Sequence, residues 1–333
     1  MPLPFDAVLL IAFGGPRGLD DIRPFLANVL RGRRVAPERV DEVAHHYELF
    51  GGVSPLTELT MRQANALGAR LASDGHELPV YVGMRNWDPY LRDTLAQMSR
   101  DGVRRAVGVL AAAHRSYSSC TQYRENIVEA RAAIGAGGLR DVDVTFVSDW
   151  HTHAGFVEAN AAHVAEAVGR LPSDAGSSTQ IVFTAHSIPV SMADRYPYER
   201  QIHETAGAVM TQLRRAIPQP ERVSSQVVFQ SRSGRPEDPW LGPDVCDYLR
   251  VARRAGVSSV VLSPIGFVCD HVEVLYDLDV EAAAVARELD LPCTRAAAVN
   301  DHPAFIVTLA AAVMAVCDRY ASGRPLPLVP PAR

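Results

Sequence analysis

Short apolar, β-rich runs separated by longer amphipathic stretches constrain this chain more than any other feature. The runs fall at residues 7–13, 79–82, 106–110, 142–147, 181–184, 227–230 and 260–264. Between them, residues 61–72, 90–100 and 156–171 carry apolar side chains at helical spacing. Strands joined through helices have crossover connections rather than tight hairpins, so the strands should be parallel. Near-continuous apolar strands are buried on both faces. The fold class is therefore α/β, with helices covering both faces of each sheet and right-handed crossovers.

At 333 residues the chain exceeds what one core organises, and two domains are expected. An internal echo divides it. Leu9-Leu10-Ile11-Ala12-Phe13-Gly14-Gly15-Pro16 lines up with Val182-Phe183-Thr184-Ala185-His186-Ser187-Ile188-Pro189, which matches Phe13 with His186. Asp88-Pro89-Tyr90-Leu91 recurs as Asp238-Pro239-Trp240-Leu241, and Gly102-Val103 as Gly256-Val257. The expected architecture is two Rossmann-like halves, 1–150 and 151–301, each a parallel sheet flanked by helices, with a ligand cleft between them. Residues 302–320 should form a C-terminal helix packing back on the N-terminal half. Residues 173–179 read as a loop and 321–333 as a tail. Ligands of open α/β sheets bind at the carboxyl ends of the strands, so Phe13, His186, His114 and His271 are expected to converge there.

Composition removes several classes of function. Hydrophobic residues make up 47% and charged residues 21%, and the formal charge is only -5. No Lys/Arg cluster interleaved with aromatics appears, so a nucleic-acid partner is not expected. The start, Met1 to Asp6, has no basic n-region or cleavage site, and the apolar stretch 304–316 is short of the ~18 residues a membrane span needs and is interrupted by Thr308. A cytoplasmic protein without an integral membrane segment is expected. Cys120, Cys246, Cys269, Cys293 and Cys317 are scattered without a CxxC pair, which predicts reduced thiols. Gly14-Gly15 is not a dinucleotide fingerprint, no phosphate-binding P-loop occurs, and Ser187 lacks the G-x-S-x-G elbow.

Two features carry chemistry. In the segment 266–281, which leaves a strand and enters a helix, Asp270, Glu273, Asp277 and Glu281 fall within ~80° of circumference at ~100° per residue. Like charges so close need water or a cation, and the apolar neighbours Val272, Leu275, Tyr276 and Val280 place much of the helix in the interior. Such a row suits a path for a divalent ion or protons; the plainer reading is a solvated helix face. His186, just beyond the strand 181–184, can take a proton or bind a metal, or be an ordinary hydrogen-bonded histidine.

Nearer the N-terminus, Arg31-Gly32-Arg33-Arg34 and His45-His46-Tyr47, followed by Gly51-Gly52-Val53-Ser54-Pro55, mix arginines with Tyr and Ser donors. Such a set suits carboxylates, while a basic helix end accounts for the arginines as well. Tyr117, Ser118, Ser119 and Tyr123 after His114 either add hydroxyl donors or begin a helix.

Phe13-Gly14-Gly15-Pro16, Gly51-Gly52-Val53-Ser54-Pro55-Leu56, Thr184-Ala185-His186-Ser187-Ile188-Pro189, Gln230-Ser231, Asp238-Pro239-Trp240-Leu241-Gly242-Pro243-Asp244 and the run from Gly266-Phe267 to Asp277 occur in one order over nearly the whole chain. In this the sequence resembles the ferrochelatases. Arg85-Asn86-Trp87 and Gln230-Ser231-Arg232-Ser233-Gly234 look most like the actinobacterial type of the bacterial coproporphyrin enzymes. The resemblance implies insertion of Fe²⁺ into a porphyrin, coproporphyrin III, in haem biosynthesis, with His186 and Glu273 as the catalytic pair. It implies His186, Glu273, Asp277 and Glu281 as the metal or proton route and Arg31, Tyr47, Ser54 and Tyr123 as substrate contacts, to which the convergence at the strand ends adds Phe13 and His114. Porphyrin and Fe²⁺ are then substrates, no prosthetic group is required, and other haem-pathway enzymes are the expected transient partners. A chelatase for another metal or tetrapyrrole and a non-catalytic porphyrin or haem carrier are the alternatives.

Three departures from the family pattern bear on these expectations. Phe13 stands where many coproporphyrin members carry a tyrosine able to ligate product iron, so that axial contact should be absent or come from another group. His46 replaces a common arginine. Residues 321–333 contain no cysteine, whereas related tails often ligate a [2Fe-2S] cluster, so a cluster is not expected.

Overall fold

A computed structural model describes residues 3–32, 35–172, 178–217, 219–233 and 237–323. Arg33, Arg34, residues 173–177 of the expected loop, Gly234 and 324–333 of the expected tail lie outside the described residues. The described residues form two compact units, one within Met1–Ala112, Tyr117–Trp150 and Phe305–Arg333, the other within Ala113–Ser116 and His151–Ala304.

The first unit carries strands β1 (Ala7–Ala12), β2 (Val80–Met84), β3 (Arg105–Leu110) and β4 (Asp143–Phe146), all parallel in the order β2-β1-β3-β4. Its helices are α1 (Ile22–Val29), α2 (Pro37–Glu48), α3 (Pro55–Ser73), α4 (Leu91–Arg100) and α5 (Gln122–Ala136). Every residue of β1 is buried, because a central strand in a two-faced sheet has helices on both sides. Leu9 and Ile11 pack with Leu95, Met98, Ile127 and Ile134 of α4 and α5.

The second unit begins with α6 (Ala154–Gly169) and repeats the topology, with β5 (Thr179–His186), β6 (Val223–Gln230), β7 (Ser259–Ser263) and β8 (Cys293–Arg295) in the order β6-β5-β7-β8. A short turn α7 (Val190–Ala193), then α8 (Tyr198–Ala216) and α9 (Val245–Arg254), follow β5 and β6. After β7 come a single turn α10 (Val272–Val274), a π-helical stretch Leu275–Ala282 and α11 (Ala283–Glu288). Phe183 and Ala185 face α6 and α8, while Val182 packs with Leu249, Val274 and Leu278. Alternate residues of β5 thus serve two cores, the arrangement a continuous apolar run implies.

Register tests the echo residue by residue. Ala12 pairs with Met84 and Ala185 with Phe229, which puts Phe13 and His186 at equivalent positions. Gly102 and Gly256 close the same helix-ending turn, with φ of 88° and 85°, conformations glycine adopts without a Cβ penalty. One part of the echo is wrong. The Met84 N–H donates to Pro89 at 2.7 Å and the Phe229 N–H to Pro243 at 2.9 Å, so the counterpart of Pro89 is Pro243, not Pro239, whose carbonyl accepts from Val190 at 3.0 Å.

The C-terminal helix α12 (Pro303–Ala321) lies where a helix was expected, at 302–320, but it is more apolar along its length than expected. It is 19 residues long with hydropathy 1.6, long and apolar enough by length and composition to cross a membrane. The apolar run read from the sequence stops at Val316, but the helix carries further apolar residues at Cys317 and Tyr320. Phe305, Leu309, Val313 and Cys317 on one face are buried, with Phe305 against Trp150 at 5.5 Å and Tyr320 edge-on to Phe5 at 5.4 Å.

Candidate active site

The strand expected at 181–184 runs on to end at His186, since β5 pairs with β6 as far as His186 opposite Gln230. Its backbone is held from two directions. The buried Tyr198 hydroxyl donates to the His186 carbonyl at 3.0 Å, and the Ser187 N–H donates to Gln230 at 2.8 Å. The imidazole Nδ1 lies 2.5 Å from the Ser187 carbonyl. A carbonyl only accepts, so the proton sits on Nδ1 and the lone pair of the neutral ring is on Nε2.

That lone pair has an acid near it. His186 Nε2 is 3.9 Å from Glu273 Oε2, and His271 Nε2 is 3.7 Å from the same oxygen. The His186 and Glu273 side chains are 33% and 44% exposed, which leaves both open to a ligand. His271 precedes α10, lies against Phe267 with ring centroids 5.0 Å apart, and has its proton affinity lowered by burial, partly offset by Glu273. Gly266 makes the approach possible. Its N–H donates to Thr184 at 3.0 Å, and a Cβ there would fall 2.5 Å from Ala185 Cβ and 2.6 Å from Ala185 Cα.

The acidic row is built differently from the α-helical stripe expected. Asp270 is not on it: it precedes the helix, accepting from Arg295 at 2.8 Å and from the Asn300 amide at 2.8 Å. The helix widens into π geometry, as in the bond from the Ala283 N–H to Leu278 five residues back. Asp277 Oδ2 accepts from Gln230 Nε2 at 3.1 Å and from the Ser231 hydroxyl. Burial raises the Asp277 carboxyl to about 7, with Glu273 and Glu281 adding to the rise against the two hydrogen bonds. Ser231 adopts φ of 60°, a left-handed conformation that costs a side-chain-bearing residue energy and is held here beside Asp277. Glu281 and Asp277 both line an open pocket of about 310 Å³ with Gln230, Ser231, Asp244 and Cys246. Tyr198, Gln230 and Ser231 as orienting groups escaped the sequence reading of roles; Gln230-Ser231 was visible only as a motif.

The other expected site residues are dispersed between the units. In the first, Phe13 follows β1 and meets Phe25 edge-on at 6.2 Å, Phe25 meets Tyr47 at 5.6 Å, and the Arg85 guanidinium stands 6.0 Å from the Phe13 ring and 5.8 Å from that of Tyr123. Tyr47 and Tyr123 are buried, and burial pushes the Tyr123 phenol up. Ser54 is buried against Gly15, while Arg31 is exposed and donates to Asn28 at 2.6 Å. His114 belongs to the second unit. Its ring is buried, bonded to Thr205 at 3.0 Å, and burial lowers its pKa to about 3, so it stays neutral.

Among the described residues no group of three or more His, Cys, Asp or Glu is gathered for a metal ion.

The family described as Ferrochelatase matches residues 5–316. The chain is 47% identical over 314 residues to the coproporphyrin III ferrochelatase of Streptomyces griseus, covering 91% of this chain and 83% of that one. It is 44% identical over 309 residues to the ferrochelatase of Rhodopirellula baltica, covering 91% and 84%. The sirohydrochlorin chelatase SirB from Bacillus subtilis, solved with cobalt, superposes with a TM-score of 0.53 at 9% identity over 95% of this chain and 97% of that chain, a likeness of fold. A match over nearly the whole length, with relatives 44–47% identical, makes this chain a member of the ferrochelatase family.

Proposed function

We propose that the chain inserts Fe²⁺ into coproporphyrin III in haem biosynthesis, with His186 and Glu273 as the catalytic pair. The observation that carries the reading is the His186 ring, whose Nδ1 meets the Ser187 carbonyl while its Nε2 stands 3.9 Å from Glu273. Bonds of ~2.0–2.2 Å, as zinc makes to nitrogen and carboxylate oxygen, let one ion bridge a gap of this size. Relatives such as the Streptomyces griseus enzyme, named for coproporphyrin III, support that porphyrin.

Insertion exchanges two pyrrole N–H protons for Fe²⁺, and the four ring nitrogens become iron ligands. His186 Nε2 accepts the two ring protons one after the other, and Glu273 takes each from the imidazolium so formed before the next arrives. Glu273, Asp277 and Glu281 carry ions and protons between the ring and the pocket at Glu281. Phe13, Arg31, Tyr47, Ser54, His114 and Tyr123 are proposed as substrate contacts. His114, buried on Thr205, would act through that hydrogen bond unless the porphyrin displaces it. Iron is a substrate in this scheme, and the chain needs no prosthetic group.

His186→Ala, assayed anaerobically with Fe²⁺ and coproporphyrin III, should lose ~10²–10⁴-fold in kcat, the range for a positioned acid–base group. Porphyrin binding, read by absorbance titration, should remain. Normal turnover by this variant would sink the assignment.

A further inference from the structure

Five carboxylates lie between residues 270 and 281, yet only Glu273, Asp277 and Glu281 belong to the row described above. Asp270 and Asp279 are held by one partly buried cation. Arg295 Nη1 donates to Asp270 at 2.8 Å and Arg295 Nε to Asp279 at 2.7 Å, with the arginine side chain 18% exposed. Arg295 is itself fixed by the sheet: it ends β8, pairs with Leu262, and its carbonyl accepts from Arg170 at 2.6 Å. Asp270 is secured further by the Ala298 N–H and by two bonds exchanged with Asn300.

The two arms of Arg295 therefore grip the chain just before α10 and again within Leu275–Ala282. Between these points lie Glu273 and Asp277. A π-helical stretch is rare in proteins and persists where surrounding contacts hold it. We infer that Arg295 is a positioning residue for metal insertion: by bracing Asp270 and Asp279 it holds the π-helical segment so that Glu273 faces His186, and it keeps those two carboxylates out of the metal row. A guanidinium suits the task because its planar fork reaches two carboxylates in fixed directions, which a lysine ammonium does not.

The inference rests on the proposed metal insertion, and its test separates the two. In Arg295→Gln, kcat for Fe²⁺ insertion should fall ~10–100-fold, the usual cost of losing a group that orients metal-binding residues. KM for coproporphyrin III should not change, and kcat is counted per folded molecule, from the porphyrin-binding stoichiometry in an absorbance titration, because a smaller folded fraction also lowers apparent kcat at constant KM. Arg295→Lys should recover part of the loss. Hydrogen exchange of the amides of 275–283 should quicken in Arg295→Gln while β5 and β7 stay protected. Should Arg295→Gln fail to fold, Asp279→Asn removes one arm at a half-exposed position and should show the same split to a smaller degree. Wild-type kcat in a folded variant overturns the inference, whether or not exchange quickens. A wild-type protein that inserts no metal defeats the proposed function instead, and unaltered exchange in Arg295→Gln then overturns the brace as well.

Discussion

Asp277, proposed above for the metal or proton route, is held at the expense of stability. Its carboxyl titrates near 7 in the folded protein, mainly because burial disfavours its charge, against ~3.9 in an unfolded chain. Between those values the folded state binds more protons than the unfolded one, so stability falls as pH rises through this window and levels off above it. Asp277→Asn removes the slope and keeps an oxygen for Ser231 and Gln230 to bond. Its melting temperature should exceed that of the wild type by a margin that grows from pH 4 to pH 7, while Fe²⁺ insertion falls. A margin independent of pH, in parallel thermal melts, would show that the carboxyl titrates normally. Gly266 offers the complementary case. A methyl there meets Ala185 backbone at 2.6 Å. Gly266→Ala should cost ~1–3 kcal/mol by overpacking and lower insertion through the displaced His186; a wild-type melt would contradict the close approach. The importance of both residues was legible as motif, but the reason was not. Asp277's burial comes from β6 and the helix around it, and Gly266's constraint from a strand some eighty residues earlier in the chain.

At the scale of elements, periodicity located the strands well because parallel strands are buried on both faces and leave continuous apolar runs. It failed at β8, whose Cys-Thr-Arg has no such run and is held at the sheet edge by pairing with Val260, Val261 and Leu262. It also failed in kind at the acidic helix. A spacing of four between Glu273, Asp277 and Glu281 suits an α-helix as readily as a π-helix, and only tertiary contacts decide between them. The stripe drawn at α-helical pitch therefore included Asp270, whose backbone leaves the helix and whose carboxylate belongs to Arg295. The end of β5 was drawn short for a similar reason: the apolar run stops before His186, yet the ladder with β6 continues to it.

At the scale of the whole molecule, the shared strand order is the deepest regularity the sequence disclosed, and the matched register of Phe13 and His186 is its sharpest expression. The same topology thus ends one central strand in an aromatic ring and the other in a base. Helix α12 stands outside this repeat, and its composition alone allows two environments. If it is a core helix of the first unit, its two faces must respond differently to charge. Val313 is fully buried, and an aspartate there would be an unpaired buried charge, which costs several kcal/mol or more. Ala311, two residues away, is exposed, and an aspartate there should be nearly neutral. Val313→Asp should therefore abolish a cooperative melt while Ala311→Asp melts like the wild type and stays in the supernatant after membranes are pelleted. A helix set in lipid would tolerate neither charge at its centre. Loss of membrane-pelleted protein on Ala311→Asp would assign the exposed face to a bilayer and reverse the core reading of α12.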